Sequence, residues 1–129
     1  MALALAEAGA SIVVCSRRIE VCGKVVKEIE VLGRQALALA LHVTDPVSVR
    51  QGVDKDISHF GKIEILVNSS GTASESPANE MSLEQWKEMI DTNVTGTFLM
   101  CQAVGRHMIE NQYGKIILPL DIKVLTQNL

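Results

Sequence analysis

The chain has 129 residues, which is enough for one domain with a modest hydrophobic core. Hydrophobic residues make up 47% and charged residues 21%, the usual proportions of a globular protein and not of a disordered one. A net charge of −3 and an aromatic content of 3% argue against a nucleic-acid partner, which would need a basic surface or aromatic stacking platforms. The remaining partner classes are a small molecule or another protein.

The three cysteines, Cys15, Cys22 and Cys101, form no C-x-x-C pair and have no histidine at metal-ligand spacing. We predict buried or half-buried thiols in a reducing compartment and no metal site, with metal ligands or disulfides as the alternatives. No apolar run reaches the ~18 residues of a membrane span. The apolar opening segment lacks a basic region and contains Glu7, so it predicts a helix and not a signal peptide. We expect no membrane contact and a cytoplasmic or organellar-matrix location.

The first half of the chain alternates helical patterns with short apolar runs. Gly9, Gly33 and Gly61 follow helical patterns, where glycine is a typical stop signal, and Asp45-Pro46 is a typical helix start. In chain order we predict a helix over residues 1–8, a strand over 11–16, a helix over 18–32, a strand over 35–43 and a helix over 46–60. The predicted inner faces of the last two helices are Val21, Val25, Ile29 and Leu32, and Val49, Val53, Ile57 and Phe60.

The strand over residues 35–43 is predicted from its position between two helical patterns, because an alternation of leucine and alanine also occurs in helices. In the second half we predict a strand over 63–67, a polar loop over 68–80, a helix from 83, a second helix over 94–110 and a strand over 115–118. Ser82 and Gln85 form a capping-box pattern. The predicted inner faces are Leu83, Trp86, Met89 and Ile90, and Val94, Phe98, Cys101, Gly105 and Met108.

The spacing of the strands indicates an α/β fold. The four predicted strands start at residues 11, 35, 63 and 115, which are 24, 28 and 52 residues apart. Such gaps suit helical crossovers between parallel strands, whereas hairpins need only a few residues. With no internal repeat and no linker-like stretch, the pattern predicts one doubly wound domain over residues 1–129.

Four motifs in a fixed order resemble those of the short-chain dehydrogenase/reductase family. They are Ser16-Arg17-Arg18, His42-Val43-Thr44-Asp45, Asn68-Ser69-Ser70-Gly71 and the segment from Trp86 to Phe98, each at the carboxyl end of a strand or the head of a helix. The resemblance extends from Met1 to about Ile117. It implies a Rossmann-like doubly wound parallel sheet, whose ligands bind at the carboxyl ends of the strands. It also implies an oxidoreductase that transfers hydride between a nicotinamide cofactor and a small alcohol or carbonyl substrate.

The resemblance favours NADP over NAD as the cofactor. Ser16 stands where NAD-dependent members carry an acidic residue for the ribose 2′-hydroxyl, and Arg17 follows it directly. A serine hydroxyl and a planar, bidentate guanidinium suit a 2′-phosphate. The alternative is a solvated arginine at the start of a helix.

His42 and Val43 match the family's adenine-binding pair, which is usually Asp-Val. A neutral imidazole still accepts a hydrogen bond through one nitrogen, as the usual aspartate does from the adenine amino group. The alternative is a surface histidine at the end of a strand. The other histidines, His59 and His107, are predicted to be surface residues.

The loop Asn68-Ser69-Ser70-Gly71 departs from the family's usual Asn-Asn-Ala-Gly. Gly71 permits close approach of the backbone to the ribose and nicotinamide, and in the family the first asparagine ties neighbouring strands through its side chain. Asn93 matches the helix-embedded asparagine that, in the family, holds a water of the proton relay beneath the catalytic lysine. Its other interpretation is an N-cap for the helix that begins at Val94.

The family's glycine-rich turn and its catalytic serine, tyrosine and lysine find no match in these residues. Tyr113 precedes the last strand and Lys115 follows only two residues later, so neither fits the family's Tyr-x-x-x-Lys. We therefore expect a domain truncated at both ends, lacking its first strand, with a divergent tail over 118–129 and no activity of its own. The alternative function is a non-catalytic product that pairs with full-length relatives through the helix at 94–110, or a product without function.

Overall fold

A computed structural model describes residues 1–74 and 76–119 of the chain. Most of the predicted tail over 118–129 therefore lies outside the described residues. The chain divides into two compact units, one over residues 1–62 and one from residue 63 onward, and each is described separately below.

The first unit is a two-stranded parallel sheet with three helices. Its elements are α1 (Ala2–Glu7), β1 (Ile12–Ser16), α2 (Ile19–Val31), β2 (Ala36–Ala40) and α3 (Pro46–Phe60). The register pairs Ile12 with Ala36 and Ser16 with Ala40, so the two strands end together. Helix α1 packs on α2 and β1, α2 packs on both strands, and α3 packs on β2. These elements confirm every predicted helix and strand of residues 1–62.

The alternation of leucine and alanine in β2 gives the strand one bulky face. Leu39 and Leu41 are buried, and Leu41 lies directly against Gly52 of α3. Because side chains two residues apart in a strand share a face, the leucines of β2 point toward α3 and the alanines point the other way. The prediction of a strand, and not a helix, is confirmed here.

The predicted helix ends of this unit are also confirmed. Asp45 caps α3 by accepting a hydrogen bond from the Val47 amide at 2.9 Å, and Pro46 occupies the first turn. Gly9, Gly33 and Gly61 follow the three helices with φ angles of 107°, 74° and 83°, which are strained for residues that carry a Cβ.

The inner face of α2 differs from the prediction. Ile29 is buried as predicted and Val25 is half-buried, but Val21 and Leu32 are exposed and Cys22 is buried instead. The Cys22 sulfur lies 3.9 Å from the Leu39 carbonyl oxygen of β2. The small thiol fits where helix and strand approach each other closely. The buried face of α2 is therefore not the one that its large aliphatic side chains alone would predict. On α3 the predicted face is confirmed, with Val49 and Val53 buried.

The second unit pairs two short parallel strands with one long helical stretch. Its elements are β3 (Ile65–Val67), α4 (Leu83–Ile90), a π-helical turn (Asp91–Thr95), α5 (Gly96–Glu110) and β4 (Lys115–Ile117). Ile65 pairs with Lys115 and Val67 with Ile117. The capping box of α4 is complete, because the Gln85 amide donates to Ser82 Oγ at 3.2 Å and the Ser82 amide donates to Gln85 Oε1 at 2.9 Å.

The predicted inner faces of α4 and α5 are largely wrong. No residue of α4 is buried, and the buried residues of α5 are Gly96, Met100, Val104 and Met108, of which only Met108 was predicted. The helices at 83 and 94 are continuous through the π-helical turn, which places an extra residue in one turn and rotates the following face. A pattern based on 3.6 residues per turn does not anticipate that rotation. Trp86, Val94 and Phe98 are exposed.

The described strands form two parallel pairs, β1–β2 and β3–β4, and not one continuous sheet. Parallel strands joined by helices are the Rossmann-type α/β arrangement, here in incomplete form. None of the helices in residues 1–74 and 76–119 is long and apolar enough to cross a membrane.

Gln112, which follows α5, is a site where glycine should stabilise the chain. Its φ of 54° lies in the left-handed region, which costs a residue with a Cβ about 1 kcal/mol. We expect Gln112→Gly to raise the free energy of unfolding by about 0.5–1 kcal/mol, measured by urea denaturation. Gln102→Gly, the same change inside α5, should lower it by about 1 kcal/mol. A loss of stability in Gln112→Gly would contradict the assignment of this turn.

Candidate functional site

The carboxyl ends of β1 and β2 bring the first two motifs together. Ser16 pairs with Ala40, and the Leu41 amide donates to the Ser16 carbonyl at 3.0 Å. The residues that follow, Arg17 on one side and His42 on the other, therefore leave the sheet at the same edge. This is the edge at which doubly wound sheets bind their ligands.

Ser16 shapes the start of α2. Its half-buried hydroxyl oxygen accepts a hydrogen bond from the Arg18 amide at 3.0 Å, a local turn that serine and aspartate side chains favour. Arg18 is the N-cap residue of α2, and both Arg17 and Arg18 are exposed. The edge thus presents one hydroxyl and two guanidinium groups, which together suit a phosphate monoester.

His42 and Val43 begin the turn that leads into α3. The His42 amide donates to Ser48 Oγ at 2.9 Å, and its carbonyl accepts from the Asp45 amide at 3.1 Å. These bonds fix the backbone and leave the side chain of His42 exposed, while Val43 is half-buried. A polar ring beside an apolar side chain is an arrangement that can recognise the edge and the face of a flat heterocycle.

Cys15 lies next to this edge and is exposed, contrary to the prediction for the cysteines, whereas Cys22 is buried and Cys101 half-buried. All three are free. Cys15 is the second-last residue of β1 and pairs in register with Leu39 of β2. Burial of its surroundings raises the pKa of the Cys15 thiol from 9.0 to about 12, and the negative charges of Asp56 and Cys22 add to the shift.

The raised pKa of Cys15 predicts an unreactive thiol. The folded state favours the protonated form, so this stabilisation is present below pH 9 and is lost as the pH rises from 9 toward 12. We expect slow alkylation of Cys15 by iodoacetamide at pH 8 in the native chain and fast alkylation in urea, read by mass spectrometry. Cys15→Ala should reduce the loss of stability between pH 9 and 12. Equal alkylation rates in the native and unfolded chain would contradict the raised pKa of Cys15.

The third motif follows β3 in the second unit. The Asn68 amide donates to the Ile117 carbonyl of β4 at 3.0 Å, which extends the strand pair by one bond. The side chain of Asn68 points elsewhere: its Nδ2 donates to Thr97 Oγ1 of α5 at 2.8 Å. Asn68 therefore ties the two strands through its backbone and ties the loop to the helix through its side chain. Ser70 Oγ donates to Asn68 Oδ1 at 2.9 Å, and Ser69 is exposed.

Asn93 lies within the π-helical turn, so its interpretation as an N-cap is wrong, and Thr95 is the residue that precedes α5. Its side chain pairs with the backbone of Thr72: Asn93 Oδ1 accepts from the Thr72 amide and Nδ2 donates to the Thr72 carbonyl, both at 2.8 Å. A Cβ on Gly71 would lie 3.4 Å from Asn93 Oδ1. The structure thus brings Asn68, Gly71 and Asn93 together around one loop.

The far end of the same loop is held by α4. Ser74 Oγ accepts from the Ser76 amide at 3.1 Å, and Gln85 Nε2 donates to Ser76 Oγ at 3.3 Å. An open hollow of about 530 Å³ lies between this part of the loop and α4. The hydroxyl and amide groups that line this hollow mainly hydrogen-bond within the loop and to α4. The hollow is therefore an open surface and not a preformed binding pocket.

Sequence reasoning missed three residues of this unit. Thr97 hydrogen-bonds Asn68, and Thr72 hydrogen-bonds Asn93. Thr97 lies four residues after Asn93, a helical spacing from which its proximity to Asn93 could have been predicted. His107 is half-buried and accepts a hydrogen bond from the Ile63 amide through Nε2 at 3.2 Å, so its prediction as a surface residue is wrong. His59 is exposed as predicted. In residues 1–74 and 76–119, no three His, Cys, Asp or Glu side chains cluster so as to hold a metal ion.

Known proteins with similar sequences and folds identify the family. The short chain dehydrogenase family profile matches residues 1–118. D-threitol dehydrogenase of Mycolicibacterium smegmatis is 47% identical over 78 residues, which cover 60% of this chain and 30% of that protein. A short-chain type dehydrogenase/reductase from Mycobacterium marinum superposes with a TM-score of 0.89 at 38% identity, over 94% of this chain and 48% of its own length.

A 7α-hydroxysteroid dehydrogenase, solved in complex with NADH and 7-oxo glycochenodeoxycholic acid, superposes with a TM-score of 0.89 at 31% identity. The match covers 99% of this chain and 50% of that one. The chain thus spans between about a third and a half of the length of these relatives. From its first residues to Leu118, the chain belongs to the short-chain dehydrogenase/reductase family.

Proposed function

We propose that this chain carries nucleotide-binding elements of an NADP-dependent oxidoreductase that acts on a small alcohol or carbonyl substrate. The observation that carries the proposal is the meeting of Ser16-Arg17 and His42-Val43 at the carboxyl edge of β1 and β2. Both pairs leave the sheet where the ligands of doubly wound folds bind, and their chemistry suits a phosphorylated adenosine.

The residues of this edge fit the 2′-phosphate of NADP. The exposed Arg17 guanidinium offers planar, bidentate donors, and the Ser16 hydroxyl adds a further polar contact. His42 and Val43 would hold the adenine, the imidazole by accepting from its amino group and the valine by packing on the ring. When bound, the nucleotide would donate hydride to a carbonyl or accept it from an alcohol, and these residues would bind and orient it.

The loop after β3 is proposed to receive the ribose and nicotinamide. Gly71 keeps space open at the loop, and Asn68 and Ser70 fix its shape. Asn93 holds the loop by its side chain, and we propose that this residue also orients a water of the proton relay. We propose no catalytic acid or base among the described residues.

The preference for NADP rests on the residues of this chain and not on its relatives. The 7α-hydroxysteroid dehydrogenase complex contains NADH, so the fold itself accepts a nucleotide without the 2′-phosphate. An NAD site favours a carboxylate that accepts from both ribose hydroxyls, whereas position 16 holds a neutral serine here.

A direct test compares the two nucleotides on the purified chain by fluorescence titration. We expect NADPH to bind at least tenfold more tightly than NADH, and Arg17→Ala to remove most of that difference. Arg34→Ala, a change of the same charge outside this edge, is the matched control. Equal affinities for NADPH and NADH, or no binding of either at millimolar concentration, would overturn the proposal.

A second candidate function is pairing with another copy of this chain or with a full-length relative. The observation that favours it is the exposure of Trp86, Val94 and Phe98 on one long helical stretch, with more than half of each side chain accessible. Exposed aromatic and aliphatic side chains of this kind are typical of association surfaces. The helix at 94–110 would provide the contact.

Size-exclusion chromatography of the chain, alone and co-expressed with an intact relative, tests this pairing. We expect co-elution that Phe98→Glu abolishes and that Glu28→Gln, an exposed change on α2, leaves unchanged. Separate elution of the unmodified chain would rule the contact out.

The three free cysteines support a reducing location, so we propose the cytoplasm or an organellar matrix. We also propose that residues 1–129 form one partial nucleotide-binding domain with a divergent tail over 118–129.

A further inference from the structure

A chain of hydrogen bonds runs from the loop after β3 to the π-helical turn. Ser70 Oγ donates to Asn68 Oδ1 at 2.9 Å, and Asn68 Nδ2 donates to Thr97 Oγ1 at 2.8 Å. The Thr97 hydroxyl then donates to the Asn93 carbonyl at 2.7 Å. Because an amide nitrogen only donates and a carbonyl only accepts, each bond has one direction. The hydroxyls of Ser70 and Thr97 therefore connect the side chain of Asn68 with the backbone carbonyl of Asn93, which do not hydrogen-bond each other directly.

Asn93 is held at two points by this arrangement. Its carbonyl accepts from Thr97, and its side chain pairs with both backbone groups of Thr72. A π-helical turn widens the backbone ring and often occurs at functional sites. The network connects the loop, which the resemblance assigns to the nucleotide, with Asn93, which it assigns to the relay water.

We propose that Ser70 and Thr97 are positioning residues, whose hydroxyls hold Asn68 and Asn93 so that the loop after β3 and the π-helical turn act as one unit. Alanine at position 70 removes the first donor, and valine at position 97 removes the central hydroxyl while keeping the shape of the side chain. The inference rests on the proposed function only in that the unit would receive the nicotinamide side of the nucleotide.

The network is tested first without any ligand, by nuclear magnetic resonance of the side-chain amides of Asn68 and Asn93. We expect Thr97→Val to shift both resonances and to speed exchange of the Thr72 backbone amide about fivefold, the factor expected for one lost hydrogen bond. Thr97→Ser, which keeps the hydroxyl, should restore both readouts. Thr95→Val, on the same turn with an exposed side chain, should change neither.

Ser70→Ala provides a second, milder test should Thr97→Val fail to fold. It should shift the Asn68 side-chain amide, and the combination with Thr97→Val should change the spectrum no more than Thr97→Val does alone, because both changes break one path. Unchanged Asn93 and Thr72 signals in Thr97→Val, or fully additive effects of the two changes, would overturn the inference.

Nucleotide binding separates this inference from the proposed function. Thr97→Val should weaken NADPH and NADH by the same factor, about fivefold, because the part of the ligand it affects is common to both. If the unmodified chain binds neither nucleotide, the proposed function fails, while the resonance test still decides the role of Ser70 and Thr97. A change in the NADPH to NADH ratio would contradict the assignment to the nicotinamide side.

Discussion

Ser16→Asp is expected to invert the nucleotide preference of the chain. The carboxylate would repel a 2′-phosphate beside Arg17 and would accept hydrogen bonds from the ribose hydroxyls of NADH. Charge-assisted hydrogen bonds contribute about 1.5–3 kcal/mol, so NADPH affinity should fall by about 10- to 100-fold while NADH affinity is kept or gained. Fluorescence titration with both nucleotides measures the ratio.

The local structure should tolerate this change. The Ser16 hydroxyl accepts from the Arg18 amide, and an aspartate side chain makes the same turn as well or better. The unfolding midpoint should therefore shift little, which separates a lost phosphate contact from a lost fold. Gln35→Glu, which adds the same charge at the other end of the strand pair, is the control. Parallel losses for NADPH and NADH in Ser16→Asp would show that position 16 does not read the 2′-group.

The largest expected effect on stability comes from Gly52→Val in α3. Gly52 is buried, and a Cβ at this position would overlap Cδ1 of Leu41, the residue that follows β2. Overpacking of a core typically costs about 1–3 kcal/mol, and valine recovers less than 1 kcal/mol of the helix propensity that glycine lacks. We expect a net loss of about 2 kcal/mol in the free energy of unfolding, measured by urea denaturation followed by circular dichroism.

Two further variants define the cause of that loss. Gly23→Ala, on α2 with no atom within 4 Å of the new Cβ, should stabilise by up to about 1 kcal/mol. In a Leu41→Val background, which removes the overlapping carbon, Gly52→Val should cost clearly less than in the unmodified chain. An equal cost in both backgrounds would mean that Leu41 is not the neighbour that excludes a side chain at position 52.

Local signals predicted most of the fold, because capping and turn chemistry act within a few residues. Asp45-Pro46, the Ser82–Gln85 capping box and Gly61 each appear in the structure as predicted. The position of residues 35–43 between two helical patterns correctly predicts a strand where the alternation of leucine and alanine alone is ambiguous. Such features depend only on residues that are neighbours in the chain, so they can be predicted from the sequence.

Helix faces and side-chain partners were less predictable, because they depend on contacts distant in sequence. The buried face of α5 consists of Gly96, Met100, Val104 and Met108 and excludes Phe98, and Cys22 is buried where its sulfur meets the Leu39 carbonyl. The motifs located Asn68 and Asn93, yet the bonds from Asn68 to Thr97 and from Asn93 to Thr72 join residues 29 and 21 positions apart and are given only by the folded chain.

The most direct test of the central claim is a resonance titration of the isotope-labelled chain with adenosine 2′,5′-bisphosphate, with adenosine 5′-monophosphate in parallel. The two ligands differ only in the 2′-phosphate. We predict that the bisphosphate shifts the backbone amides of residues 16–18 and 42–43, at concentrations at least tenfold below those that the monophosphate requires. Equal responses to the two ligands, or shifts confined to other residues, would contradict an NADP site at this edge.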